Sequence, residues 1–462
     1  MEISINATSY ALEQLAIRAG IEIYSINNTT LRLLDLPFYY GMVPEQAAHL
    51  PAIFVKRCSH NAWTDLLESP VEQLTWLSSD NTMPAGQSLP VSNSIPALFW
   101  GEDSYEDTPR FVECHPDGSI TFHVDIIATT LFMLTRWEET VNQERDHHNR
   151  FPATASVSYK MGILQRPLVD EYALVLKAWI QHIRCEWQPR LPKFQIKLTH
   201  DIDYTQRCNN AIQLAKAVGV DLLRQKSLSQ SFSTVAGYLS PANDMYMKGI
   251  YQLAAFSKSA GLSSSFYFMA ASITKYDSGY DCASPLLKKC YADLLEMGFT
   301  IGFHPSYYTL DNPELLAAEK SKLTAAAGHE MVEGRHHYLR FRTPDTWRNW
   351  EQVGLKHDLS LGYADAIGFR CGTCHTFQVF DIKNDRTLDL YETPLIVMDA
   401  TLKLYNDLTP EAGRERILEL AKICQAVNGT FSLLWHNYAL SGYWKNWAVT
   451  YQKTLTALAR MT

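Results

Sequence analysis

Two aspartates one residue apart, Asp201 and Asp203, stand at the end of the apolar run FQIKLTH, and His304 ends a second such run, FTIGF. On an extended strand the side chains at i and i+2 point the same way, so both carboxylates can face one cavity. Carboxylate oxygen and imidazole nitrogen suit zinc or a similar divalent ion. With one carboxylate on the ion and its neighbour free beside an activated water, the free one can serve as general base, a division of labour that hydrolysis of an acetamide needs. Spacing alone also allows the pair to cap the next helix or to meet a basic side chain. Other ionisable groups end other apolar runs: Arg340 and Arg342 in HHYLRFR, Asp399 after PLIVM and His436 after FSLLW.

From about residue 195 the chain supplies the elements that would place these groups. Ser240-Pro241, Ser284-Pro285, Asn312-Pro313, Thr343-Pro344 and Thr409-Pro410 each set a capping side chain before a proline at the first helical position. Gly261, Gly298, Gly328, Gly354 and Gly429 mark the corresponding stops. Strand-like runs follow at 264–269, 299–303 and 430–435. Such alternation implies parallel βαβ units, and in α/β sheets or barrels ligands sit at the carboxyl ends of the strands, where all these groups lie. Residues 1–190 lack the rhythm. There, 124–139 reads as a buried helix ending in Glu138 and Glu139, 142–149 as a polar turn, and 168–183 as a helix that closes an N-terminal domain. QPRLPK at 188–193 is the linker, so the expected domains are 1–190 and 195–462.

The net charge of -8, with no Lys/Arg run, argues against nucleic acid as a partner. The N-terminus carries no signal-peptide pattern and no apolar run has membrane-spanning length. Nine cysteines at irregular spacing read as reduced thiols, so the expected compartment is the cytoplasm.

Thr199-His200-Asp201-Ile202-Asp203 resembles the first motif of the polysaccharide deacetylases, the NodB-homology group of carbohydrate esterase family four. Gly302-Phe303-His304-Pro305-Ser306 resembles the second motif, residues 340–344 the third and Leu434-Trp435-His436 the last. The resemblance covers roughly 195–440 and implies a distorted, TIM-like (β/α) barrel beside a smaller N-terminal α/β domain. It also implies removal of an N-acetyl group from a sugar or glycan precursor. Under it Asp201 is the general base, Asp203 and His304 ligate a divalent metal such as zinc, Arg340 or Arg342 orients the base, and His436 is the general acid. The whole chain is similar to a longer subgroup with an extra N-terminal domain of unknown function, through LTHDID, HPSY, HYLRF with PDTW, LGYADAIGFRCGTC and PLIVMDATL, and through TRWEE, RFPATAS and RPLVDEY upstream. That likeness places Asp365 near the site, and Glu392 and Asp399 on a later strand.

One departure matters: the second motif usually has a further histidine four residues on, and here that residue is Tyr308. A phenol with a pKa of about 10 ligates zinc poorly at neutral pH. His337 is the first candidate for the third ligand, with His336 expected on the other face of its strand and His375 more distant; a role in orienting Asp201 is the alternative for His337. Cys371-Gly372-Thr373-Cys374-His375 matches haem-attachment and thiol-redox patterns but reads as incidental thiols in a substrate-side loop. His147 and His148 read as a solvated loop, Glu138 and Glu139 as a charged helix end or internal ion pair, and Trp347 and Trp350 as packing against the sheet. Two rival functions remain: a non-catalytic carbohydrate-binding or scaffolding protein that lost its metal, supported by Tyr308, and a thiol redox enzyme.

Overall fold

The computed structural model describes residues 3–27, 30–41, 51–102 and 109–462. Capping chemistry sets most helices of the C-terminal half. Ser284, Asn312 and Thr409 accept from Leu287 N, Leu315 N and Ala412 N at the heads of Pro285–Glu296, Pro313–Ala327 and Pro410–Ala426, each with proline in the first turn. Gly261 and Gly328 stop Met245–Ala260 and Pro313–Ala327 with φ of 69° and 63°. Two starts differ from expectation. Pro241–Asn243 is a separate 3-10 turn, and Asp244, not Ser240, caps Met245–Ala260. Thr343 does not cap Asp345–Gln352, because its hydroxyl donates to Thr135 O in the N-terminal half.

Nine strands form the sheet that carries the site: β1 (Gln195–Ile202), β2 (Ser264–Phe268), β3 (Thr300–Phe303), β4 (Glu333–Gly334), β5 (His357–Asp358), β6 (Phe377–Asp381), β7 (Arg386–Glu392), β8 (Val397–Met398) and β9 (Thr430–Leu434). Their order is β6-β7-β5-β4-β3-β2-β1-β9-β8, and every neighbouring pair is parallel except β6 with β7. The resemblance implies a barrel; the ladder itself is open, with β6 and β8 at its ends. One short stretch of chain nevertheless touches both flanks. β7 pairs with β5, and four residues later β8 pairs with β9, while Leu395 N donates to Leu361 O and Ser432 Oγ accepts from Ile396 N.

The run HHYLRF is not a strand. β4 ends at Gly334, where a Cβ would lie 2.0 Å from Phe303 O, an approach only glycine permits. The chain then turns through His337–Leu339, with Tyr338 and Leu339 left-handed at φ of 62° and 54°. A helical hairpin, Ala211–Leu223 with Leu228–Leu239, follows β1 and carries no start signal of the Pro-Gly kind.

The N-terminal half holds a six-stranded mixed sheet, and its helices Ile5–Ala19, Ile126–Leu134 and Leu168–Ile183 pack on one another, the first also on β6 and β7. The expected helix 124–139 is broken at Arg136 (φ 51°), whose guanidinium turns back onto Glu138 and Glu139. Buried polar side chains tie this half to the sheet. Arg18 pairs with Asp170 at 2.9 Å and contacts Thr373; Glu139 pairs with Arg370 at 2.6 Å and Arg136 at 2.8 Å. The Tyr10 hydroxyl donates to Gln378 O. Among the described residues no helix is long and apolar enough to cross a membrane.

Candidate active site

Asp201 and Asp203 flank the end of β1 and are both buried. Asp201 Oδ1 lies 3.0 Å from Arg335 Nη1, which also donates to Thr199 Oγ1, while Arg335 Nε donates to Leu359 O. Five fixed donors in a plane make arginine suited to holding a carboxylate in one orientation. The arginine that meets Asp201 is therefore Arg335, the residue just after β4. Arg340 instead donates to His148 O and Tyr307 O and lies over the Tyr307 ring; Arg342 pairs with exposed Asp311 at 2.6 Å. The apolar run HHYLRF suggests a strand that continues to Arg342, and so hides Arg335, because the strand ends at Gly334. Ending it at Gly334 would have put Arg335 at the informative strand end.

His304 follows β3. Its Nδ1 sits 2.5 Å from Arg335 O, which leaves Nε2 facing Asp203 Oδ1 at 3.2 Å and Asp201 Oδ2 at 4.0 Å. His337 is oriented in the same way by a carboxylate: Nδ1 is 2.8 Å from Asp277 Oδ1, and Nε2 is 3.8 Å from Asp203 Oδ1. Asp277 is in turn held by Tyr307 N and Thr274 Oγ1. It sits in the loop after β2, where no motif in the sequence pointed to it. Opposite, His436 follows β9; its Nδ1 and backbone N both meet Asp399, at 2.7 and 2.8 Å, and its Nε2 is 3.7 Å from Asp203 Oδ2.

The ligand atoms of Asp203, His304 and His337 lie within 4.8 Å of one another. Bonds of about 2.0–2.2 Å in a tetrahedral shell put ligand atoms about 3.3 Å apart, so small side-chain adjustments close the three around one ion. Each histidine already gives its other nitrogen to a carbonyl or carboxylate, the partner arrangement that fixes the tautomer and raises ligand basicity at metal centres. The donor set fits a divalent ion of the zinc type. Tyr308, half exposed and packed on Tyr276 and Tyr307, is not part of it. His336 Nε2 accepts from Trp350 Nε1, and His375 Nε2 meets Val427 O; neither reaches the cavity. Replacing Asp277 with Asn is expected to weaken metal affinity by about 10–100-fold, read by competition with a chromogenic chelator.

Charge is distributed to keep these groups in distinct states. Burial would raise Asp203, but His436, His304 and His337 outweigh it and hold the carboxyl far below the usual carboxylate range. Burial opposes a charge on His436, yet Asp399 and Asp203 prevail and lift it to about 9. His304 is raised too, Asp201 and Asp203 overcoming its burial. Burial would likewise raise Asp277, but the hydrogen bond from His337 helps keep it low.

The cavity over these residues has a volume of about 220 Å³ and is walled by Tyr204, Tyr338, Leu339, Met398, Leu404, Tyr405 and Tyr438. Arg150 also lines it, from the N-terminal half, with donors on Asp146, Tyr338 O and the Tyr405 hydroxyl. His148, read as solvated, packs instead against Tyr276, Tyr307 and Tyr338.

Asp365 lies outside the lining and accepts from Ala153 N; Glu392 is buried on Trp347 Nε1 and Leu361 N. Cys371 and Cys374 are not in a substrate-side loop. Both are fully buried, and burial drives their thiols well above the ordinary thiol range. The nearby group Asp170, Cys374 and His375 is ligand-like in spacing, but Asp170 is already taken by Arg18, Thr373 and Cys374 N.

A family of unknown function (DUF7033) matches residues 70–184, within the N-terminal half. No curated protein sequence matches the chain. Among solved structures, the chain is similar to a protein from Mycobacterium smegmatis assigned to the polysaccharide deacetylases, at 12% identity and a TM-score of 0.40, over 60% of this chain and 87% of that one. It is also similar to a family 4 carbohydrate esterase from Streptomyces lividans in complex with acetate, at 10% identity and 0.28, over 58% and 86%. A mutant of a pseudoenzyme of that esterase family, with restored enzymatic activity, aligns at 8% identity and 0.29, over 58% and 62%. Likenesses this distant leave the chemistry to be read from the residues themselves.

Proposed function

We propose that the protein hydrolyses an N-acetyl group on a sugar or glycan precursor with the help of a divalent metal ion. One observation carries the reading: Asp203, His304 and His337 converge as a ligand set in a cavity that Asp201, held by Arg335, and His436, held by Asp399, also line. Asp203, His304 and His337 would hold the ion, which when bound supplies Lewis acidity to water and to the acyl oxygen. Asp201, fixed through Oδ1 by Arg335, takes the proton of the attacking water on its remaining oxygen. His436, charged at neutral pH, delivers a proton to the departing amine from Nε2, while Asp399 keeps the ring aimed. A carboxylate outside the ligand set and a charged histidine lining the same cavity favour an enzyme over a binding module, which uses neither. His337 also answers the absence of a histidine at position 308.

Elemental analysis of protein purified without chelator tests the reading directly. About one equivalent of a divalent transition metal is expected in the wild type and little in His304→Ala, together with acetate release from N-acetylated oligosaccharides by the wild type alone. No metal bound or taken up on titration by either protein would overturn it.

A further inference from the structure

The hairpin Ala211–Leu223 with Leu228–Leu239 is built inside out. On its second helix Leu228, Phe232, Val235 and Leu239 recur at i, i+4, i+7 and i+11, the spacing of the single apolar stripe that normally seeks a core. Here the stripe faces solvent, with Leu228, Phe232 and Leu239 exposed to 69%, 75% and 76%. The first helix adds Ile212 and Leu223, the latter 81% exposed. What the hairpin buries is polar: Asp221 accepts from Arg207 at 2.8 Å and from Thr234 Oγ1 at 2.6 Å, with Ser231 beside them. Contiguous exposed apolar surface of this kind marks an interaction site.

Charge selects the partner. Between residues 204 and 276 the acidic residues are Asp221 and Asp244, both buried. The hairpin's exposed charges, Lys216, Arg224 and Lys226, are all positive, and Lys248 and Lys258 extend the trend along the next helix. This concentration sits on a chain of net charge -8. A second copy docking by this face would set like charges against each other across a two-fold axis. An apolar stripe beside cations suits an anionic lipid surface, where the apolar side chains enter the headgroup boundary and the cations meet the lipid charge.

We propose that the hairpin docks the protein on anionic membranes as an interfacial element that does not span them. The placement gives the docking a use. A Cβ on Gly442 would meet Gln230 Nε2 at 3.5 Å, so the hairpin abuts the loop bearing exposed Tyr443. Lys403 Nζ lies 3.5 Å from the Tyr443 ring centre, and the next residues, Leu404 and Tyr405, wall the catalytic cavity. Docking therefore brings the cavity mouth near the lipid surface. The inference stands apart from the reaction assigned to that cavity.

Flotation of the full chain with vesicles tests it. Binding is expected to phosphatidylcholine vesicles that contain phosphatidylglycerol, to weaken with salt, and to be slight on phosphatidylcholine alone. Lys216→Glu/Arg224→Glu/Lys226→Glu should lose at least about 100-fold in affinity, and Leu223→Ser/Leu228→Ser/Phe232→Ser a comparable amount. Both sets change exposed residues, and circular dichroism checks that they leave the fold intact. Phe232→Trp should shift its emission to the blue on anionic vesicles. Absence of binding to anionic vesicles would overturn the proposal. A concentration-dependent dimer abolished by the serine variant would assign the stripe to a second copy instead.

Discussion

Exchanging Asp201 for Asn is expected to lower kcat by about 10²–10⁴-fold while metal content stays near that of the wild type. The size follows from removing a carboxylate that lines the cavity and lies outside the ligand set. Asn keeps the shape and can still meet Arg335, so the fold should survive, and acetate-release kinetics beside elemental analysis separate loss of the base from loss of the ion. Loss of metal in this variant would mean that Asp201 is a ligand and that the roles of the two aspartates are exchanged. The acid has its own signature. Asp399 holds the proton on His436 through neutral pH, and a metal ion on Asp203 would offset part of the remaining lift, so kcat/KM should fall on the alkaline side below pH 9. His436→Gln should remove that limb and lower kcat across the range. A wild-type limb that persists unchanged in the variant would assign it to another group.

The second large effect concerns stability. Glu139→Ala is expected to cost about 3–5 kcal/mol, read as a lower urea midpoint at unchanged slope. The carboxylate lies between Arg370 and Arg136, all three nearly inaccessible, and its loss leaves Arg370 buried with no carboxylate and Arg136 with Glu138 alone. Burial pushes Glu139 up, but the two arginines prevail and hold it at about 2. A carboxyl depressed in the folded state stabilises the fold above its unfolded value of about 4.3, and that contribution fades as pH falls from there toward 2. Acid unfolding of the wild type should therefore begin in that interval, and the Ala variant should show a flatter profile there. A variant within about 1 kcal/mol of wild type would mean that solvent reaches the arginines.

What could be read beforehand follows from how local each signal is. Caps and stops such as Asn312-Pro313 with Gly328 act within one turn, and the helix they bound is present to the residue. The strand-end residues Asp201, Asp203, His304 and His436 converge because parallel strands place their carboxyl ends together, a consequence of topology that periodicity already implies. His337 also points into the cavity, but not through strand alternation; two left-handed residues in the turn after β4 set it there. Arg335 and Asp277 were illegible for a related reason. Their roles depend on where a two-residue strand stops and on a loop returning from β2, which are tertiary facts. Arg150 comes from the other half of the chain, and only packing could reveal it. The hairpin was missed because its apolar stripe, in a sequence, cannot announce which way it faces.

The ties across residues 190–195 decide how the protein can be cut. Arg370, Thr373 and Gln378 on the sheet side have partners in Glu139, Arg18 and Tyr10, and the Arg150 wall of the cavity belongs to the earlier half as well. A fragment beginning at 195 would carry a buried guanidinium with no carboxylate and a cavity open on one side. The change of sequence rhythm there marks a seam in the pattern of folding, while expression, heat and proteases should encounter a single object.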